Sequence, residues 1–324
     1  MSKKSLIAVS LLALAAGLAF PHEAPGQGFP SRQVELVVPY PPGGSSDALA
    51  RGLQPMLERA LGQTVVVVNR PGAAGGVAAS LLARTRADGH TILLASSSAM
   101  TLVPRFEKVE YEPLRDFTFV ALVTRLSSML LVRADAPWKT IDQFFEYAKQ
   151  NPRKIKYGTS AQAGTYLAME AVGKERGLEW VHVPFKGDGP AINALLGGHI
   201  DAAALYSAYV PHVKAGKLHP LLALTGFRPR SFPEVPTLRS VGLKFEGKGS
   251  TESITGIIAP KGLSPDIVRK YEDALRTAVA SPEFLKVAEA LDVEAHYLNS
   301  EEYRKETEAG YRAVGEVFKR LGLN

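Results

Sequence analysis

The chain has 324 residues, of which 46% are hydrophobic and 22% charged, and its formal net charge is +6. This is the composition of a folded, soluble protein, and the length allows two domains of ordinary size. Basic blocks such as Arg84–Arg86 and Lys154–Lys156 are too short and too scattered for a nucleic-acid interface. The sequence contains no cysteine, which excludes disulfides and a lipid-anchored cysteine.

The first 24 residues have the features of a secretory signal peptide. Lys3 and Lys4 precede an apolar run that ends at Phe20, and Gly17 and Ala19 suit cleavage after Ala19. An uncleaved membrane anchor is disfavoured because the run is shorter than the roughly 20 residues that span a bilayer. We therefore predict that residues 1–24 are a signal segment and that the mature protein is periplasmic, without a lipid anchor.

The segment Val37–Gly62 contains a turn that favours anion binding. Its apolar run ends in Pro-Pro-Gly-Gly, where proline cannot donate to a strand ladder and Gly43 and Gly44 allow unusual backbone angles. Ser45-Ser46-Asp47 follows where the N-cap of a helix is expected, and the helix itself is predicted over Asp47–Leu61. Free N–H groups and the helix dipole make such a turn a ready anion site, although any strand-to-helix connection uses similar residues.

Two further strands are predicted to deliver polar loops to the same edge of one sheet. Val65–Val68 and Thr91–Ala95 are continuously apolar, which is typical of strands buried on both faces of a parallel sheet. The first is followed by the glycine-rich Asn69–Gly76, and the second by Ser96–Met100, which includes Ser97. Ligands of open parallel sheets bind beyond the strand C-termini, so this pattern predicts a binding site at that edge.

A second series of strands and helices begins after Ser127. Ile155–Tyr157 is predicted to be a strand that runs into the turn GTSAQAGT, residues 158–165, and then into a helix, which repeats the opening element. A T-x-x-Q capping box at Thr140 indicates another helix. Further strands are predicted at residues 129–132, 180–184, 200–205 and 219–225.

The C-terminal part is predicted to be mainly helical. Ser264-Pro265 and Ser281-Pro282 each combine an N-cap serine with proline at the first helical position, and a last helix is predicted over residues 301–321. Two α/β units and a helical tail predict two lobes with a cleft between them. We assign residues 30–128 and 249–324 to lobe 1 and residues 129–248 to lobe 2, so that the tail packs on the first lobe.

No complete catalytic or metal motif is present. The seven histidines show no H-x-x-x-H or H-E-x-x-H spacing, and neither a P-loop nor G-x-G-x-x-G occurs, so we expect no metal and no cofactor. Gly158–Gln162 falls one glycine short of a nucleophile elbow, which leaves open an esterase that uses Ser160 with Asp201 and His212. A non-enzymatic binding protein is the simpler interpretation, because amide donors in a cleft need no catalytic group.

Seven blocks of the sequence resemble a known family. They are VVPYPPGGSSD, VVNRPGAAGG, ADGHTILLASSS, YGTSAQAGT, HVPFKGDGPAINALLGGHIDA, PHVKAGK and PEVPTL. Their order and spacing resemble the Bug-type solute-binding proteins, the extracytoplasmic receptors of tripartite tricarboxylate transporters, over about Pro30 to Gly322. The resemblance implies a two-lobed α/β periplasmic binding protein, type II-like, with mixed sheets flanked by helices. Such a receptor closes on a carboxylate and delivers it to a membrane permease with a small and a large subunit.

The resemblance also implies where the ligand binds. In such receptors one carboxylate is held largely by backbone N–H groups and ordered water from two loops, which match Tyr40–Asp47 and Gly158–Thr165 here. Backbone donors explain why neither loop needs an arginine. The candidate ligand-binding residues are Tyr40, Pro42, Gly43, Gly44, Ser45, Ser46, Asp47, Ser97, Gly158, Thr159, Ser160, Ala161, Gly164, Thr165 and Tyr206.

Some positions leave alternatives open. Asp47 either caps its own helix or faces the ligand, where its charge would repel an anion. Tyr206 lies where many relatives have an aspartate, and it is either a hydrogen-bond donor in the pocket or a packing residue between the lobes. If that aspartate binds the amino group of a ligand in the relatives, an amino-acid ligand is disfavoured in this chain. Ile254-Thr255 replaces an aromatic pair that often precedes the glycine matching Gly256.

We therefore expect a monomeric receptor for a di- or tricarboxylate or an aromatic acid, with a membrane permease as its partner and no nucleic acid. Alternatively, the binding protein presents its ligand to a signalling membrane protein rather than to a transporter. The alternative among enzymes is the secreted esterase centred on Ser160.

Overall fold

The computed structural model describes most of the chain beyond the predicted leader. The described residues are 28–160, 164–206, 208–226, 228–229, 231–244 and 252–323. The predicted signal segment, residues 1–24, and the candidate site residue Ala161 lie outside the described residues. No helix in the described part of the chain combines the length and the apolar character needed to cross a membrane.

Strands and helices alternate along most of the chain. The first part contains β1 (Val34–Val38), α1 (Ser45–Leu61), β2 (Val65–Asn69), α2 (Gly76–Ala83), β3 (Thr91–Ser96), α3 (Val103–Phe106) and β4 (Phe117–Leu126). The middle part contains β5 (Met129–Arg133), α4 (Ile141–Gln150), β6 (Lys156–Ser160), α5 (Gly164–Arg176), β7 (Val181–Phe185), α6 (Asp188–Leu196), β8 (Ala202–Leu205), α7 (Val210–Lys214) and β9 (Leu218–Ala223). The last part contains β10 (Ser253–Pro260), α8 (Pro265–Val279), α9 (Pro282–Ala290), β11 (Glu294–Leu298) and α10 (Ser300–Leu321).

These strands form two mixed sheets. The six-stranded sheet has the order β11-β4-β10-β3-β1-β2, in which β1 pairs in parallel with β2 and β3 while β10 is antiparallel to β3 and β4. The five-stranded sheet has the order β7-β6-β8-β5-β9, in which β6 is parallel to β7 and β8. The predicted class, two α/β lobes with mixed sheets, is confirmed. The exact lobe boundaries stay a prediction.

The two sheets are connected at neighbouring points. β4 ends at Leu126 and β5 begins at Met129, so only Ser127 and Ser128, both buried, separate the sheets on the outward path. The chain returns to the six-stranded sheet at Ser253, the first residue of β10, which is the pairing partner of Leu126. The first crossing therefore lies beside the point of return, as a hinge between two lobes requires.

Each sheet is covered on both faces. Helices α1, α8 and α9 pack on one face of the six-stranded sheet through Leu53, Tyr271 and Phe284, and α2 covers the other face. On the five-stranded sheet, α4 and α5 contribute Phe144 and Leu167 to one apolar cluster and α6 lies in a second. Burial of these faces supplies the main stabilisation of both lobes.

The last helix contacts both lobes. Tyr303, near the start of α10, is buried against the six-stranded sheet, with its ring edge-to-face to Phe119 at 5.1 Å between centroids. Val314 and Phe318, near the end of α10, belong to the apolar cluster of the five-stranded sheet. The tail thus packs on the first lobe, as expected, and reaches the second as well.

The structure corrects the prediction for the second strand. The sequence favoured a strand buried on both faces, whereas β2 is an edge strand and four of its five residues are half-buried. A continuous apolar run does not distinguish a central strand from an edge strand that a helix covers. The strands β4, β10 and β11 were not predicted, and they supply the antiparallel half of the larger sheet.

Helix starts follow the predicted capping signals with two differences. The Thr140 side chain accepts a hydrogen bond from the N–H of Gln143, and Ser281 caps α9 in the same way. Ser264 precedes Pro265 as predicted, but its side chain makes no capping hydrogen bond. The last helix is capped by Asn299 rather than by Ser300, through a capping box with Glu302.

Gly256 of β10 gives a test of the packing between the last helix and the larger sheet. A Cβ at this position would lie 2.6 Å from the Tyr303 ring and 2.7 Å from the carbonyl oxygen of Ala121. We expect Gly256→Ala to lower the free energy of unfolding by about 2–3 kcal/mol, because the crowded atoms include backbone. Urea unfolding followed by circular dichroism measures this change.

The matched control is Gly189→Ala in the first turn of α6. A Cβ at this position meets no heavy atom within 4 Å, and Gly189 has no positive φ. We expect its free energy of unfolding to stay the same or to rise by up to about 1 kcal/mol, because alanine has less conformational entropy than glycine in the unfolded chain. Equal effects of the two variants would contradict the packing argument.

Candidate functional site

The first candidate loop connects β1 to α1. Gly43 has a φ of 81°, and Gly44 is the extended residue before the helix, which no side chain caps. The helix begins at Ser45, two residues earlier than predicted, so Ser45 and Ser46 lie in its first turn rather than before it, and Asp47 lies in the same turn. First-turn N–H groups have no carbonyl of their own helix to bond. Because residues 41–45 are exposed, the positive end of α1 opens to solvent.

Asp47 is buried, and its carboxylate is bonded within the first lobe. Oδ2 accepts hydrogen bonds from the N–H of Gly43 at 3.0 Å and from Nε of Arg51 at 2.9 Å, and Oδ1 accepts one from Nδ2 of Asn69 at 3.0 Å. The hydrogen bonds from Arg51 and then Gly43 lower the pKa of Asp47 to about 2. The carboxylate and the N–H of Gly43 are therefore used to hold the loop in shape.

Tyr40 and Asn69 connect the ends of neighbouring strands. The Nδ2 group of Asn69, which also bonds Asp47, donates to the carbonyl oxygen of Tyr40 at 3.0 Å. The Tyr40 hydroxyl lies 2.9 Å from Oγ of Ser96 at the end of β3 and donates to the carbonyl of Ala74 at 3.4 Å. The loops after β1, β2 and β3 thus meet at one edge of the sheet, as the sequence predicted.

Ser97 lies at the hinge side of this edge. It is buried, and its hydroxyl donates to Oγ of Ser253 at 3.4 Å, where β10 begins. Its carbonyl oxygen accepts a hydrogen bond from the Thr101 hydroxyl at 2.8 Å. Ser97 therefore joins the cleft edge of the first lobe to the point where the chain returns from the second.

The second candidate loop follows β6, which is longer than predicted. The strand continues to Ser160, so Gly158 pairs with Val183 and Ala203 instead of beginning a turn. A Cβ at Gly158 would lie 2.6 Å from Cδ1 of Ile200 and 2.9 Å from the Phe185 ring. Close packing, rather than turn geometry, therefore requires this glycine. Because glycine often ends a strand, the sequence predicted that this strand would end before Gly158.

Thr159 is fully buried and anchored by a histidine. Its Oγ1 lies 2.8 Å from Nε2 of His182, and the imidazole contacts the rings of Tyr157 and Tyr166 at centroid distances of 5.1 and 4.6 Å. Burial lowers the pKa of His182, so the ring is neutral at pH 7. The pair fixes the end of β6 immediately before the candidate loop.

Gly164 and Thr165 begin α5 beside the end of β8. Because β6 and β8 are parallel, Tyr206, which follows β8, reaches the start of α5, and the N–H groups of Gly164 and Thr165 hydrogen-bond to its hydroxyl. The N–H of Tyr206 donates to Oδ2 of Asp188 at 3.0 Å. Tyr206 is therefore held at both its backbone and its side chain.

Thr165 carries an unsatisfied hydroxyl. It is 1% exposed, and its Oγ1 has no hydrogen-bond partner among the described atoms. A buried polar group without a partner costs free energy, and in native proteins such groups are few. The Thr165 hydroxyl is therefore a hydrogen-bond donor that the described part of the protein leaves unused.

Tyr40 of the first lobe and Tyr206 of the second lobe lie near each other. The two phenols lie close enough for the charge of one to raise the pKa of the other, and burial raises the pKa of each by a larger effect. Both hydroxyls are therefore neutral at pH 7. The Tyr40 hydroxyl is already bonded within the first lobe, so the donors beside the cleft are the N–H groups at the starts of α1 and α5 and the neighbouring hydroxyls of Thr165 and Tyr206. Such a set of donors suits an oxyanion.

Two of the residues named for an esterase, Ser160 and Asp201, lie at opposite ends of β6. Ser160 ends β6, whereas the carboxylate of Asp201 accepts a hydrogen bond from the N–H of Lys156, the first residue of the same strand. The two ends of this strand are about 13 Å apart. In the described part of the chain, no group of histidine, aspartate and glutamate side chains could hold a metal ion.

Several residues that shape the site were not identified from the sequence. They are Arg51, Asn69, Ser96, His182 and Asp188. Asn69 and Ser96 follow predicted strands at the same sheet edge, and this signal could have placed them beside Tyr40. Arg51 lies four residues after Asp47 in a helix, the spacing of a favourable ion pair. Nothing in the sequence pairs His182 with Thr159.

Comparison with known proteins shows that the chain is similar to one protein family over most of its length. The model of the tripartite tricarboxylate transporter family receptor, TctC, matches residues 49–323. A UPF0065 protein of Cupriavidus necator is 34% identical over 100% of this chain and 99% of its own length. The protein BugT of Bordetella pertussis is 32% identical over 84% of each chain.

Two similar solved structures contain dicarboxylates. An R. palustris protein with adipate has a TM-score of 0.81 and 29% identity, and the match covers 91% of this chain and 98% of that one. MatC from Rhodopseudomonas palustris with bound malate has a TM-score of 0.72 and 29% identity, and the match covers 90% and 98% of the two chains. The likeness thus extends over both lobes.

The Asp47 network predicts a pH-dependent contribution to stability. Because the pKa of Asp47 is about 2 in the folded chain and 3.8 ordinarily, its contribution is complete above about pH 5 and is lost as the pH falls through 2. We expect Asp47→Asn to lower the free energy of unfolding by about 1–2 kcal/mol at pH 7, since exposed Arg51 is screened by solvent. The deficit should shrink when urea unfolding is repeated at pH 3.

Asp135→Asn is the control, since Asp135 also pairs with an arginine, Arg133, but on the surface. This variant should unfold like the wild-type chain at both pH values. A deficit for Asp47→Asn that did not decrease at low pH would contradict the assigned network.

Proposed function

This chain belongs to the tripartite tricarboxylate transporter receptor family, and we propose that it captures a small carboxylate between its two lobes for delivery to a membrane transporter. The ligand class that we propose is a dicarboxylate or a related small organic acid. Receptors of this family are solute-binding proteins, and we propose that the chain acts without catalysis.

One observation carries this proposal. The starts of α1 at Ser45 and of α5 at Gly164 lie beside a cleft that also contains the hydroxyls of Thr165 and Tyr206. All of these groups can donate hydrogen bonds, and both acids beside them, Asp47 and Asp188, are engaged by protein N–H groups. A carboxylate supplies the acceptors that this set of donors lacks. The adipate and malate in similar structures support the same class.

Ligand capture is proposed to occur by closure of the lobes. The chain passes to the second sheet through Ser127-Ser128 and returns at Ser253 beside the first crossing, so rotation about this point changes the distance between the two loops. A carboxylate bonded to both loops favours the closed state. Each lobe alone would present half of the donors and bind poorly.

We further propose that the receptor acts as a monomer in the periplasm. Residues 1–24 supply the signal segment, and the absence of cysteine leaves no lipid anchor. Its partners are the permease subunits of a tripartite tricarboxylate transporter. Ligand-dependent uptake by cells that carry the receptor and its permease, and no uptake when either is missing, would distinguish transport from presentation to a signalling protein.

Ser46 provides a direct test of the first loop. In a thermal-shift assay with adipate, malate and succinate, we expect at least one acid to raise the Tm of the wild-type chain, because a ligand that binds only the folded state stabilises it. Ser46→Trp should abolish that rise, since the indole would fill the space before the first turn of α1. The control, Ser80→Trp on the outer helix α2, should keep it.

No thermal shift with any of these acids or with aromatic acids would count against the proposed ligand class. An equal shift for Ser46→Trp and the wild-type chain would count against the location of the site.

Thr165 allows binding to be separated from stability. We expect Thr165→Val to weaken carboxylate binding about tenfold or more, the value of a hydrogen bond to a charged group. The free energy of unfolding without ligand should stay the same or rise, because the hydroxyl that is removed has no partner. Isothermal titration calorimetry and urea unfolding measure the two quantities.

Thr307→Val is the matched control. Thr307 is equally buried, but its hydroxyl donates to the carbonyl oxygen of Tyr303 within α10. This variant should lose stability and keep its affinity. A Thr165→Val protein that behaved in the same way would show that the Thr165 hydroxyl has no part in binding.

A further inference from the structure

The excess positive charge of the chain belongs to the second lobe. The formal net charge is +6, and residues 129–248 contain 16 lysines and arginines against 10 aspartates and glutamates. The rest of the chain is therefore close to neutral. The basic residues of the second lobe are scattered along the sequence, so only the fold decides whether they meet on one surface.

The strand directions of the five-stranded sheet bring several of these residues to one edge. β6 is parallel to β7 and β8, and β5 is antiparallel to β8 and β9. The starts of β6, β7, β8 and β9 and the end of β5 therefore lie at the same edge, which spans about 19 Å for five strands. Ser160 ends β6 and Tyr206 follows β8 at the opposite edge, beside the cleft. The edge that faces away from the cleft, called the basic edge, carries Arg133, Lys139, Arg153, Lys154, Lys156 and Lys217.

Three cations lie at the β6 side of the basic edge. The N–H of Arg153 donates to the carbonyl oxygen of Glu179, two residues before β7, at 2.8 Å. Lys156 is the first residue of β6, and its N–H donates to Oδ2 of Asp201, the residue before β8, at 2.8 Å. Lys154 lies between the other two in the chain, and all three residues are exposed.

The other cations lie at the β5 and β9 side. The N–H of Ala134, directly after β5, donates to the carbonyl oxygen of Lys217, directly before β9, at 3.0 Å. The Nζ group of Lys139 donates to the carbonyl oxygen of Ala134 at 2.6 Å. Arg133 ends β5, and a Cβ at Gly198, in the turn before β8, would lie 3.1 Å from its Nη1. These cations thus continue the row towards β9.

The acids near the row are fewer than the cations. Asp135 pairs with Arg133, and Asp201 already accepts a backbone N–H. Asp142 and Glu179 lie near the two ends of the row. The row keeps a net positive charge, since five exposed cations make no ion pair in the described part of the chain. They are Lys139, Arg153, Lys154, Lys156 and Lys217.

The shape of the basic edge decides what it can bind. A single small anion is held by donors that converge on it, whereas the cations of this edge are spread along a row of strand ends. The surface of an anionic bilayer presents phosphates over a plane and attracts basic segments by charge. Of the large apolar side chains that are exposed in the described part of the chain, only Tyr147 belongs to residues 129–248. The edge thus suits electrostatic adsorption without insertion into the bilayer.

We propose that the basic edge binds the surface of a bilayer that contains anionic phospholipids, reversibly and through its charges. The cleft lies at the other edge of the sheet, so the ligand site stays clear of this contact. The chain has no cysteine for a lipid anchor, and adsorption would keep the receptor beside the membrane of its proposed permease. The inference goes beyond the proposed function, and only its periplasmic setting rests on that function.

Co-sedimentation with lipid vesicles tests the inference on the wild-type chain without residues 1–24. The vesicles contain either phosphatidylcholine alone or phosphatidylcholine with about one third phosphatidylglycerol. We expect binding to the anionic vesicles only, and binding at least tenfold weaker when the salt rises from about 0.1 M to about 1 M, because the Debye length then falls from about 10 Å to about 3 Å. Equal binding to both kinds of vesicle, no binding to the anionic ones, or binding that salt does not weaken would overturn the inference.

Charge reversal at the two ends of the row tests whether the edge acts as one surface. A basic residue near an anionic bilayer contributes about fivefold to the partition coefficient. We expect Lys154→Glu and Lys217→Glu each to lower it about fivefold or more, and the double variant to lower it at least about 20-fold. An effect of one substitution without the other would contradict a single surface along the edge.

The matched control is the double variant Arg59→Glu with Lys286→Glu. Both residues are exposed in the first lobe and make no ion pair in the described part of the chain, and the change in net charge is the same. Its partition coefficient should stay within about threefold of the wild-type value, since these charges lie far from the bilayer and are screened. Equal losses for the two double variants would show an effect of net charge alone and would overturn the inference.

This inference and the proposed function fail separately. A chain whose Tm rises with a carboxylate but that binds no anionic vesicles would overturn this inference alone. A chain that binds anionic vesicles but none of the acids would overturn the proposed ligand class alone. Binding that required permease subunits in the vesicles, whatever the lipid charge, would indicate an acidic protein surface as the partner and would overturn the inference. The lipid and salt comparisons need no variant, so a folding defect of a variant would not prevent a decision.

Discussion

The pairing of Leu126 with Ser253 is the constraint on which the arrangement of the two lobes depends. It places the return of the chain from the second sheet beside the crossing at Ser127-Ser128, so the two strand crossings between the lobes lie next to each other. β10 lies between β3 and β4 in the six-stranded sheet, and β5, which follows the crossing, lies between β8 and β9 in the five-stranded sheet. The closure that we propose would use a rotation at this point, and it would move each lobe as a unit because packed sheets are rigid.

The starts of helices α1 and α5 lie at the cleft, and different side chains surround them. In the first lobe, Asp47 takes the N–H of Gly43, the guanidinium of Arg51 and the amide of Asn69, and the loop keeps its shape although residues 41–45 are exposed. In the second lobe, the N–H groups at the start of α5 are covered by the hydroxyl of Tyr206. The N–H groups at the start of α1 are therefore exposed to solvent, whereas those at the start of α5 have a side chain of the protein beside them.

Much of this arrangement could be predicted from the sequence because it is encoded locally. Apolar runs followed by glycine and serine mark β1, β3 and β6 and the loops that follow them, and the parallel order of these strands brings the loops to common edges. The position of β2 at an edge and the strands β4, β10 and β11 could not be predicted in this way, because pairing partners that are distant in sequence decide them. The contacts of Asp47 with Asn69 and of Thr159 with His182 also join residues that are distant in sequence, so the sequence alone does not predict them. The resemblance placed Tyr206 in the cleft region, but only the parallel pairing of β6 with β8 brings its hydroxyl to the start of α5.

An acidic side chain at the start of α1 is compatible with capture of an anion because its charge is balanced within the lobe. Arg51 lies one turn along the helix from Asp47 and neutralises it, and the low pKa of Asp47 keeps the pair ionised at any pH near neutrality. What a ligand carboxylate then meets is a set of neutral donors whose strength depends on the exclusion of water. Such donors bind strongly only while both lobes face the ligand, since opening returns water to the carboxylate and separates the donors. In the capture mechanism that we propose, neutral donors would couple affinity to closure, so that opening of the cleft by a membrane partner would by itself release the ligand.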